Sequence, residues 1–218
     1  MLKTALTILT LSAAIAAHAG SPAPAATISP TVEPSEISYS NLSLSWLRQW
    51  AEVDGAPIDA DSNGVALGLE FSPVKHLYLS LGGSWSNIEF SGPGGTLDGD
   101  YWTFHGGVGG WIPLADNIHF VTEVGGHYGQ LDIDGGLRQN SWGVYVTPHI
   151  RAKFGALETH LGAIYNSNDT ALADWSAFVR VLYEVCSGCD LFVTGTCGFQ
   201  SQDFDSAFGL NVGLRVKF

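Results

Sequence analysis

The sequence predicts an all-β protein, a transmembrane antiparallel up-and-down β-barrel of about ten strands. Apolar residues recur at every second position in segment after segment, which is typical of strands with one apolar and one polar face. The segments have the length and the bounding turn residues expected of membrane strands. After the N-terminal region, no run of about 18 apolar residues supplies a membrane-spanning helix. A sheet in lipid must therefore close on itself, because lipid offers no hydrogen-bond partners to a free sheet edge.

Three regions differ in composition. Residues 1–19 combine an early lysine, an apolar core and an Ala-His-Ala cleavage site, which indicates a secretory signal peptide. Residues 20–36 contain four prolines among alanine, serine and threonine, which predicts an extended linker. Residues 37–218 have the size of one domain, and we assign the barrel to them.

The first four predicted strands alternate clearly. Their apolar positions are Leu42, Leu44 and Trp46 in the first; Val65, Leu67, Leu69 and Phe71 in the second; Leu77, Leu79 and Leu81 in the third; and Trp102, Phe104, Val108 and Ile112 in the fourth. The residues between them are mostly glycine, serine and threonine, with one glutamate and one histidine. A soluble barrel with the apolar face inward is disfavoured, because such a glycine-rich face would make a poor solvated exterior.

The remaining six strands follow the same rule. Their apolar positions are Ile118, Phe120, Val124 and Tyr128 in the fifth; Trp142, Val144, Val146 and Ile150 in the sixth; Leu157, Leu161 and Tyr165 in the seventh; Trp175, Val179, Val181 and Tyr183 in the eighth; Leu191 and Val193 in the ninth; and the even positions of 208–218 in the tenth. Several aromatic residues fall near strand ends, where membrane barrels carry their interfacial girdles.

The connections are expected to alternate in length. We predict long loops near 51–63, 91–100, 129–140, 166–173 and 200–206, and short turns near 73–76, 113–117, 154–156 and 187–190. Membrane barrels have long outer loops and short periplasmic turns, and an even strand number places both termini on the periplasmic side. Eight strands are the alternative, because Pro148 falls inside the sixth segment and proline cannot donate to a ladder.

The last strand carries a family resemblance. Leu214, Val216 and Phe218 continue an unbroken apolar alternation that finishes on an aromatic residue. This strand resembles the C-terminal strand of Gram-negative outer-membrane β-barrels, which the barrel-assembly machinery reads as an insertion signal. The resemblance implies insertion into the outer membrane and contact with its lipids, and the signal peptide implies export by the Sec route. Divalent cations gathered by an acidic outer rim would bridge to the phosphates of lipopolysaccharide.

If the apolar face meets lipid, the polar face lines the lumen. We expect a lumen network of Glu70, His105, Glu123, Tyr145, His149, Arg151, Glu158, His160, Arg180, Glu184 and Arg215. A turn at 154–155 would place Arg151 opposite Glu158 and His149 opposite His160. Charges of both signs in a narrow barrel form ion pairs and hydrogen bonds that fill the lumen. The sequence therefore favours a structural barrel that serves membrane integrity or surface interaction.

Three other functions compete with a filled barrel. A narrow porin-like channel for small solutes or ions is the main alternative, although ten strands enclose little space. The histidines His119, His149 and His160 would supply a zinc or copper site if they clustered. An outer-membrane hydrolase would need an arrangement such as His127 near Asp132 and Asp134, and no Ser-His-acid spacing supports it. We expect no cofactor and no enzymatic activity.

The chain is strongly acidic, with a formal net charge of −12. Nucleic acid is excluded as a partner, because phosphate contacts require a basic face. Asp-x-Asp pairs occur in four of the five predicted long loops, and an acidic rim of this kind attracts divalent cations or simply keeps loops solvated. Asp59, Asp61 and Asn63 match part of the EF-hand pattern, but the alternating strand after them replaces the helix that the motif requires.

The cysteines suggest a link across a turn. Cys186 and Cys189 flank a predicted short turn, and the periplasm is oxidising, so the sequence suggests a disulfide between them. A redox-active pair usually begins a helix, which the sequence does not predict here. Cys197 lies one strand length further along the chain.

Overall fold

A computed structural model provides the structure, which describes residues 37–53, 57–168, 170–171, 173–200 and 204–218. The predicted signal peptide, 1–19, and linker, 20–36, lie outside the described residues. The described ranges form ten β-strands. Within them, no helix is long and apolar enough to cross a membrane.

The strands pair in sequence order, each antiparallel to the next. Their bounds are β1 (Asn41–Val53), β2 (Asp59–Val74), β3 (Leu77–Gly92), β4 (Gly95–Ala115), β5 (Ile118–Ile133), β6 (Leu137–Phe154), β7 (Leu157–Asn166), β8 (Trp175–Cys186), β9 (Cys189–Gln200) and β10 (Phe204–Lys217). The first strand also pairs with the last, which closes the barrel. The predicted closed ten-stranded up-and-down barrel is confirmed, and the eight-stranded alternative is wrong.

The closing seam joins β1 and β10 along nearly their whole length. Leu44 lies opposite Leu214, and Trp46 lies opposite Val212. Both partners of each pair point outward, because side chains alternate between the two faces of a strand. The seam therefore continues the apolar exterior without a break and leaves no free edge in lipid.

The barrel carries its apolar side chains outside. Leu44, Leu81 and Val124 are each more than half exposed, whereas polar residues such as Ser80, Thr194 and Arg215 are buried in the lumen. A soluble barrel has the reverse arrangement. The exterior is suited to a hydrocarbon environment, where exposed apolar area carries no hydrophobic cost.

The two ends of the barrel differ. We call the end that holds Asn41 and Lys217 the terminal end; it also carries the two-residue turns at 75–76, 116–117, 155–156 and 187–188. The opposite end, which carries the other five connections, is the distal end. Both chain ends of the barrel thus lie on the side of the short turns.

The prediction of five long loops is wrong for four of them. The structure needs only residues 93–94 and 134–136 to turn from β3 to β4 and from β5 to β6. Positive φ angles at Gly95, Gly135 and Gly136 allow these tight turns. The flanking residues continue the ladder, but their apolar side chains, such as Phe90 and Leu131, face inward and their acidic side chains face outward. This reverses the alternation of the membrane strands, so they resembled loops in the sequence.

This correction moves most of the described acidic pairs from loops to strands. Asp59 and Asp61 lie on β2, and Asp98 and Asp100 lie on β4. Asp132 lies on β5, one position before its last residue. Asp98 pairs with Glu89 of β3 in the ladder, and Asp100 pairs with Asn87. The acidic surface of the distal end is therefore built on a rigid strand extension. The pair Asp203 and Asp205 lies outside the part of the chain whose side chains are described.

Pro148 fits within β6 at a local cost in pairing. It lies opposite Thr122 of β5, while the β6–β7 ladder runs from Val146 to His149 without pairs at the two positions between. Proline has no N–H to donate, which accounts for the gap on one side. The sixth strand survives because its other neighbour and its flanking residues remain paired.

Candidate functional site: the barrel lumen

A buried carboxylate near the terminal end of the lumen contacts several basic side chains. Arg151 donates to Glu158 Oε1 from Nε at 2.9 Å and from Nη2 at 2.6 Å. Arg215 Nη2 donates to Glu158 Oε2 at 2.6 Å, and His160 Nε2 lies 2.8 Å from Oε1. Glu158 and Arg151 are each only 2% exposed. A charge buried this deeply requires partners of opposite charge, and the two guanidinium groups provide them.

The network continues to the terminal end. Arg215 Nε donates to Asp190 Oδ2 at 2.6 Å, and Lys217 Nζ lies 3.0 Å from Asp190 Oδ1. Lys217 also contacts Glu184 at 2.9 Å, and Lys153 reaches the same carboxylate at 3.3 Å. Cationic and anionic side chains thus alternate along the lumen face of β6, β8, β9 and β10 at the terminal end.

The predicted ladder partners in this network are wrong by two positions. Arg151 lies opposite His160, and His149 lies opposite Gly162. The turn occupies residues 155–156, one position later than expected, and a shift of one residue in the turn moves the register by two. The long Arg151 side chain nevertheless reaches Glu158 on a diagonal, and the rings of His149 and His160 stack at 5.6 Å.

A short segment before β1 enters the lumen at the terminal end, and sequence reasoning missed it. The Tyr39 ring stacks on Trp111 with centroids 3.8 Å apart, and the Arg151 guanidinium carbon lies 4.3 Å from the Tyr39 centroid. Arg151 Nη2 donates to the Ser38 carbonyl at 2.9 Å. Ile37 and Tyr39 are both buried. We call residues 37–40 the terminal plug.

Tyr39 is fixed by a polar contact as well. Its Oη lies 2.9 Å from His119 Nδ1. Burial raises the pKa of the Tyr39 phenol, so the hydroxyl keeps its proton within hydrogen-bond distance of the imidazole. The only sequence signal for the plug is the alternation of Ile37 and Tyr39 with serines, which looks like the beginning of the first strand.

A second carboxylate is held by hydroxyl groups instead of cations. Glu123 accepts hydrogen bonds from Tyr78 Oη at 2.8 Å, from Ser80 Oγ at 2.6 Å and from Tyr145 Oη. Lumen-facing glycines make room for the two rings: a Cβ on Gly109 would lie 2.0 Å from Tyr78 Cζ. Among the described residues, no cationic group lies within ion-pair distance of Glu123.

Arg180 faces the same space from β8. Its Nε donates to Thr194 Oγ1 at 2.8 Å, and its guanidinium carbon lies 5.2 Å from the Phe192 ring centroid. In the described part of the chain, no carboxylate forms an ion pair with it. Glu70 and His105, which were also predicted to line the lumen, lie on the inner face of the barrel. Glu70 accepts a hydrogen bond from the Asn41 side chain at 2.8 Å, and the His105 ring packs edge-on against Tyr145.

Two polar cavities occupy the lumen on the distal side of the ion-pair network. They measure about 390 and 340 Å³ and share several wall residues, including Glu70, Glu123 and Arg180. The larger cavity extends toward the distal end as far as Tyr101 and Ala171. The lumen is therefore filled at the terminal end and contains a chamber in its middle.

The connection between β7 and β8 folds into the distal end of the lumen. Asn168 is buried and donates from Nδ2 to the carbonyls of Ser141 and His127, at 2.9 and 3.2 Å. Tyr101 Oη donates to the Thr170 carbonyl at 2.9 Å. An apolar cluster formed by Ala51, Ala60, Ile88 and Ala207 packs in the same end of the barrel. The β7–β8 connection and this apolar cluster thus narrow the chamber at its distal end.

The structure does not gather the candidate metal ligands. Asp61 pairs with Arg48 at 2.7 Å, and Asn63 donates to Asp61 at 3.3 Å, both on the outward side of β2. His119 bonds to Tyr39, apart from the stacked pair of His149 and His160. Across the described residues, no group of three or more histidine, cysteine or acidic side chains is arranged to hold a metal.

The hydrolase arrangement is also not assembled. His127 lies in the lumen with its Nδ1 2.9 Å from Asn166 Nδ2. Asp132 lies an odd number of positions further along the same strand, on the opposite face, and contacts Arg138 at 3.2 Å. The wall of the barrel thus separates the predicted base from its acidic partner.

The cysteines are free thiols in the structure. Cys186 and Cys189 are ladder partners across the turn at 187–188, and Cys197 lies further along β9. The first two lie side by side at the terminal end, but the disulfide that the sequence suggested between them is not formed in this structure.

Comparison with solved structures finds other membrane barrels. Ail, the attachment invasion locus protein of Yersinia pestis, is 10% identical over 82% of this chain and 97% of its own, with a TM-score of 0.44. Neisserial surface protein A is 12% identical over 83% and 98%, with a TM-score of 0.45. An outer-membrane channel from Pseudomonas putida is 10% identical over 88% and 100%, with a TM-score of 0.48. At these identities the likeness concerns the fold alone.

Comparisons by sequence find nothing similar. No protein-family model matches the chain, and no curated protein matches its sequence.

Proposed function

We propose that the protein is a Gram-negative outer-membrane β-barrel with a largely filled lumen that serves membrane integrity or surface interaction. The buried network around Glu158, covered by Tyr39 of the terminal plug, carries this proposal. Together they occupy the terminal end of the lumen with charges that are already satisfied. The apolar exterior supports placement in a membrane, and the proposal includes no catalytic activity.

The terminal end faces the periplasm in this proposal. Short turns lie at that end, as in membrane barrels generally. Leu214, Val216 and Phe218 present an exposed apolar stripe on the outside of β10, where the barrel-assembly machinery would read it. Sec export through the signal peptide at 1–19 completes this route to the outer membrane.

The distal end then faces the exterior of the cell. Its strand extensions carry the aspartates Asp59, Asp61, Asp98, Asp100 and Asp132 on or near the outer surface. Closely spaced carboxylates attract divalent cations, and such cations also bind lipopolysaccharide phosphates. We propose that this rigid acidic rim, rather than mobile loops, forms the surface contact with lipopolysaccharide.

Solute flux tests the filled lumen. We would refold the mature protein into liposomes and measure the uptake of a small sugar beside empty liposomes. The proposal expects no uptake above the lipid background, because the ion-pair network and the terminal plug occupy the terminal end of the lumen. Uptake equal to that of a porin reconstituted at the same density would contradict it.

A narrow channel is the second candidate. The polar chamber of about 390 Å³ favours it, because a filled barrel does not need this space. A channel would require the terminal plug to leave the lumen. The flux of small solutes would then rise after residues 37–40 are removed, and it would also be measurable in the intact protein.

A further inference from the structure

The charges on the lumen wall divide into a connected network and one separated pair. In the described residues, the lumen face carries five cationic side chains and five carboxylates: Arg151, Lys153, Arg180, Arg215, Lys217, Glu70, Glu123, Glu158, Glu184 and Asp190. Eight of them form one chain of ion pairs. Arg180 and Glu123 are the two left outside it. Opposite charges that face one cavity without contacting each other leave room for a ligand that carries both.

The Arg180 guanidinium has hydrogen-bond donors that no described residue uses. Only its Nε donates a hydrogen bond within the described residues, to Thr194. Both Nη atoms remain, and a guanidinium with two adjacent N–H donors matches the two oxygens of a carboxylate. Phe192 below the guanidinium keeps it from turning away into the wall.

Glu123 on β5 and Glu70 on β2 both line the chamber that Arg180 faces from β8. Three hydroxyl groups hold its carboxylate in place without neutralising its charge. A carboxylate held in this way keeps its affinity for a cation, because hydrogen bonds from neutral donors leave the negative charge intact. Glu70 lines the same chamber, and its ion pair with Arg151, at 3.9 Å, is the longest in the network.

The chamber is large enough for a small organic molecule. Its two cavities, about 390 and 340 Å³, share Arg180, Glu123 and Glu70 as wall residues. Small-molecule pockets begin at about 300 Å³. The terminal end is filled, so a solute would arrive from the distal end, past Tyr101 and Ala171.

We infer that the chamber binds a small zwitterion, with its carboxylate on Arg180 and its ammonium group between Glu123 and Glu70. Free amino acids with short side chains are the simplest molecules of this class. A simple anion would meet two carboxylates, and a simple cation would meet Arg180, so neither matches the chamber as well.

Wild-type protein in detergent tests the class of ligand by isothermal titration calorimetry. The probes are L-alanine, acetate and ethylammonium, which separate the two charged groups of the amino acid. We expect alanine to bind at least about tenfold more tightly than either fragment, because each charge-assisted contact contributes roughly that much. Acetate that binds as tightly as alanine would overturn the inference in favour of an anion site. No binding of alanine at millimolar concentration would reduce the chamber to a water-filled space.

Two variants test the assigned residues. Arg180→Gln and Glu123→Gln each remove one charge and keep a side chain that can hydrogen-bond. Each should weaken alanine binding by about tenfold or more. Arg138→Gln, which alters an exposed arginine paired with Asp132, is the control and should leave the affinity unchanged. Unchanged affinity in either lumen variant would overturn the inference.

Separate measurements distinguish a loss of folding, or solute conduction, from a loss of zwitterion binding. Heat-modifiable migration on gels reports whether each variant forms a barrel, and the wild-type probe series stands even if one variant does not fold. The inference uses the filled terminal end only for the direction of entry. A conducting wild type would overturn the proposed function, whereas the calorimetry would still decide whether a zwitterion binds.

Discussion

Arg151 and Glu158 form a buried ion pair across a diagonal of the sheet and not between ladder partners. The Nη2–Oε1 distance is 2.6 Å, while the ladder partner of Arg151 is His160. The diagonal reach lets Arg151 contact Glu158, the Ser38 carbonyl and the Tyr39 ring at the same time. One side chain thus joins the wall of the barrel to the segment that covers its terminal end.

Removing the central carboxylate should destabilise the barrel strongly. Glu158→Ala leaves Arg151 and Arg215 buried without their main counterion, which costs about 3–5 kcal/mol in the free energy of unfolding. Urea unfolding in detergent micelles measures the change. Asp132→Ala, which breaks an exposed pair with Arg138, should cost less than about 1 kcal/mol. Equal losses in both variants would contradict the network.

The paired glycines of β5 offer a matched test of the lumen face. A Cβ on Gly125 would lie 2.7 Å from Tyr145 Cε1 and 2.3 Å from the Gly106 carbonyl oxygen, whereas a Cβ on Gly126 meets no atom within 4 Å. Gly125→Ala should therefore cost about 1–3 kcal/mol in unfolding free energy through overpacking. Gly126→Ala should leave the unfolding midpoint within error of wild type. A larger loss at Gly126 would show that the two faces are assigned the wrong way round.

The terminal aromatic residue should matter for insertion more than for stability. Phe218 is exposed on the exterior and its backbone N–H donates to the Ser40 carbonyl at 3.1 Å, a bond that a side-chain change retains. Phe218→Ser should slow insertion into vesicles that contain the barrel-assembly machinery. Phe154→Ser, which alters another exposed phenylalanine at the terminal end, is the control. If both variants insert at the same reduced rate, the effect is one of lipid contact and not of a signal.

Oxidation should join the two cysteines that flank the turn at 187–188. Cys186 and Cys189 are ladder partners, and in the proposed orientation they face the periplasm, an oxidising compartment that favours disulfides. After mild oxidation, alkylation followed by mass spectrometry should label Cys197 alone. Labelling of all three residues would show that the pair does not close. The short loop between them means that the link should change stability little.

Sequence reasoning predicted the wall of the barrel well, because lipid imposes the same alternation on every strand. Leu44 and Leu214, for example, are recognisable as outward residues from their spacing alone and meet at the seam. It failed beyond the membrane, where β4 continues with Asp98 and Asp100 on its outward face, the reverse of the alternation that lipid imposes. Backbone hydrogen bonds hold such a strand extension, and because they depend little on the side chains, the amino-acid sequence does not reveal them.

The lumen was predicted as a set of residues but not as an arrangement. Inward positions follow from parity, so Glu158, Arg180 and Arg215 were all identified. Which of them touch depends on turn length and strand tilt, and one residue in the turn after β6 changed the ladder partners of Arg151 and His149. The terminal plug depends on Tyr39 meeting Trp111 and Arg151, residues far apart in the chain, and no local pattern indicates such contacts.

Single-channel conductance in a planar bilayer tests the filled lumen most directly. The mature protein would be compared with a Tyr39→Ala, Arg151→Ser double variant, which removes the plug contact and its guanidinium partner. Tyr183→Ala, an outward tyrosine on β8, is the control. We expect silence from the wild type and the control, and discrete current steps from the double variant. Discrete steps from the wild type would contradict the account, because a conducting barrel cannot be closed by its own side chains.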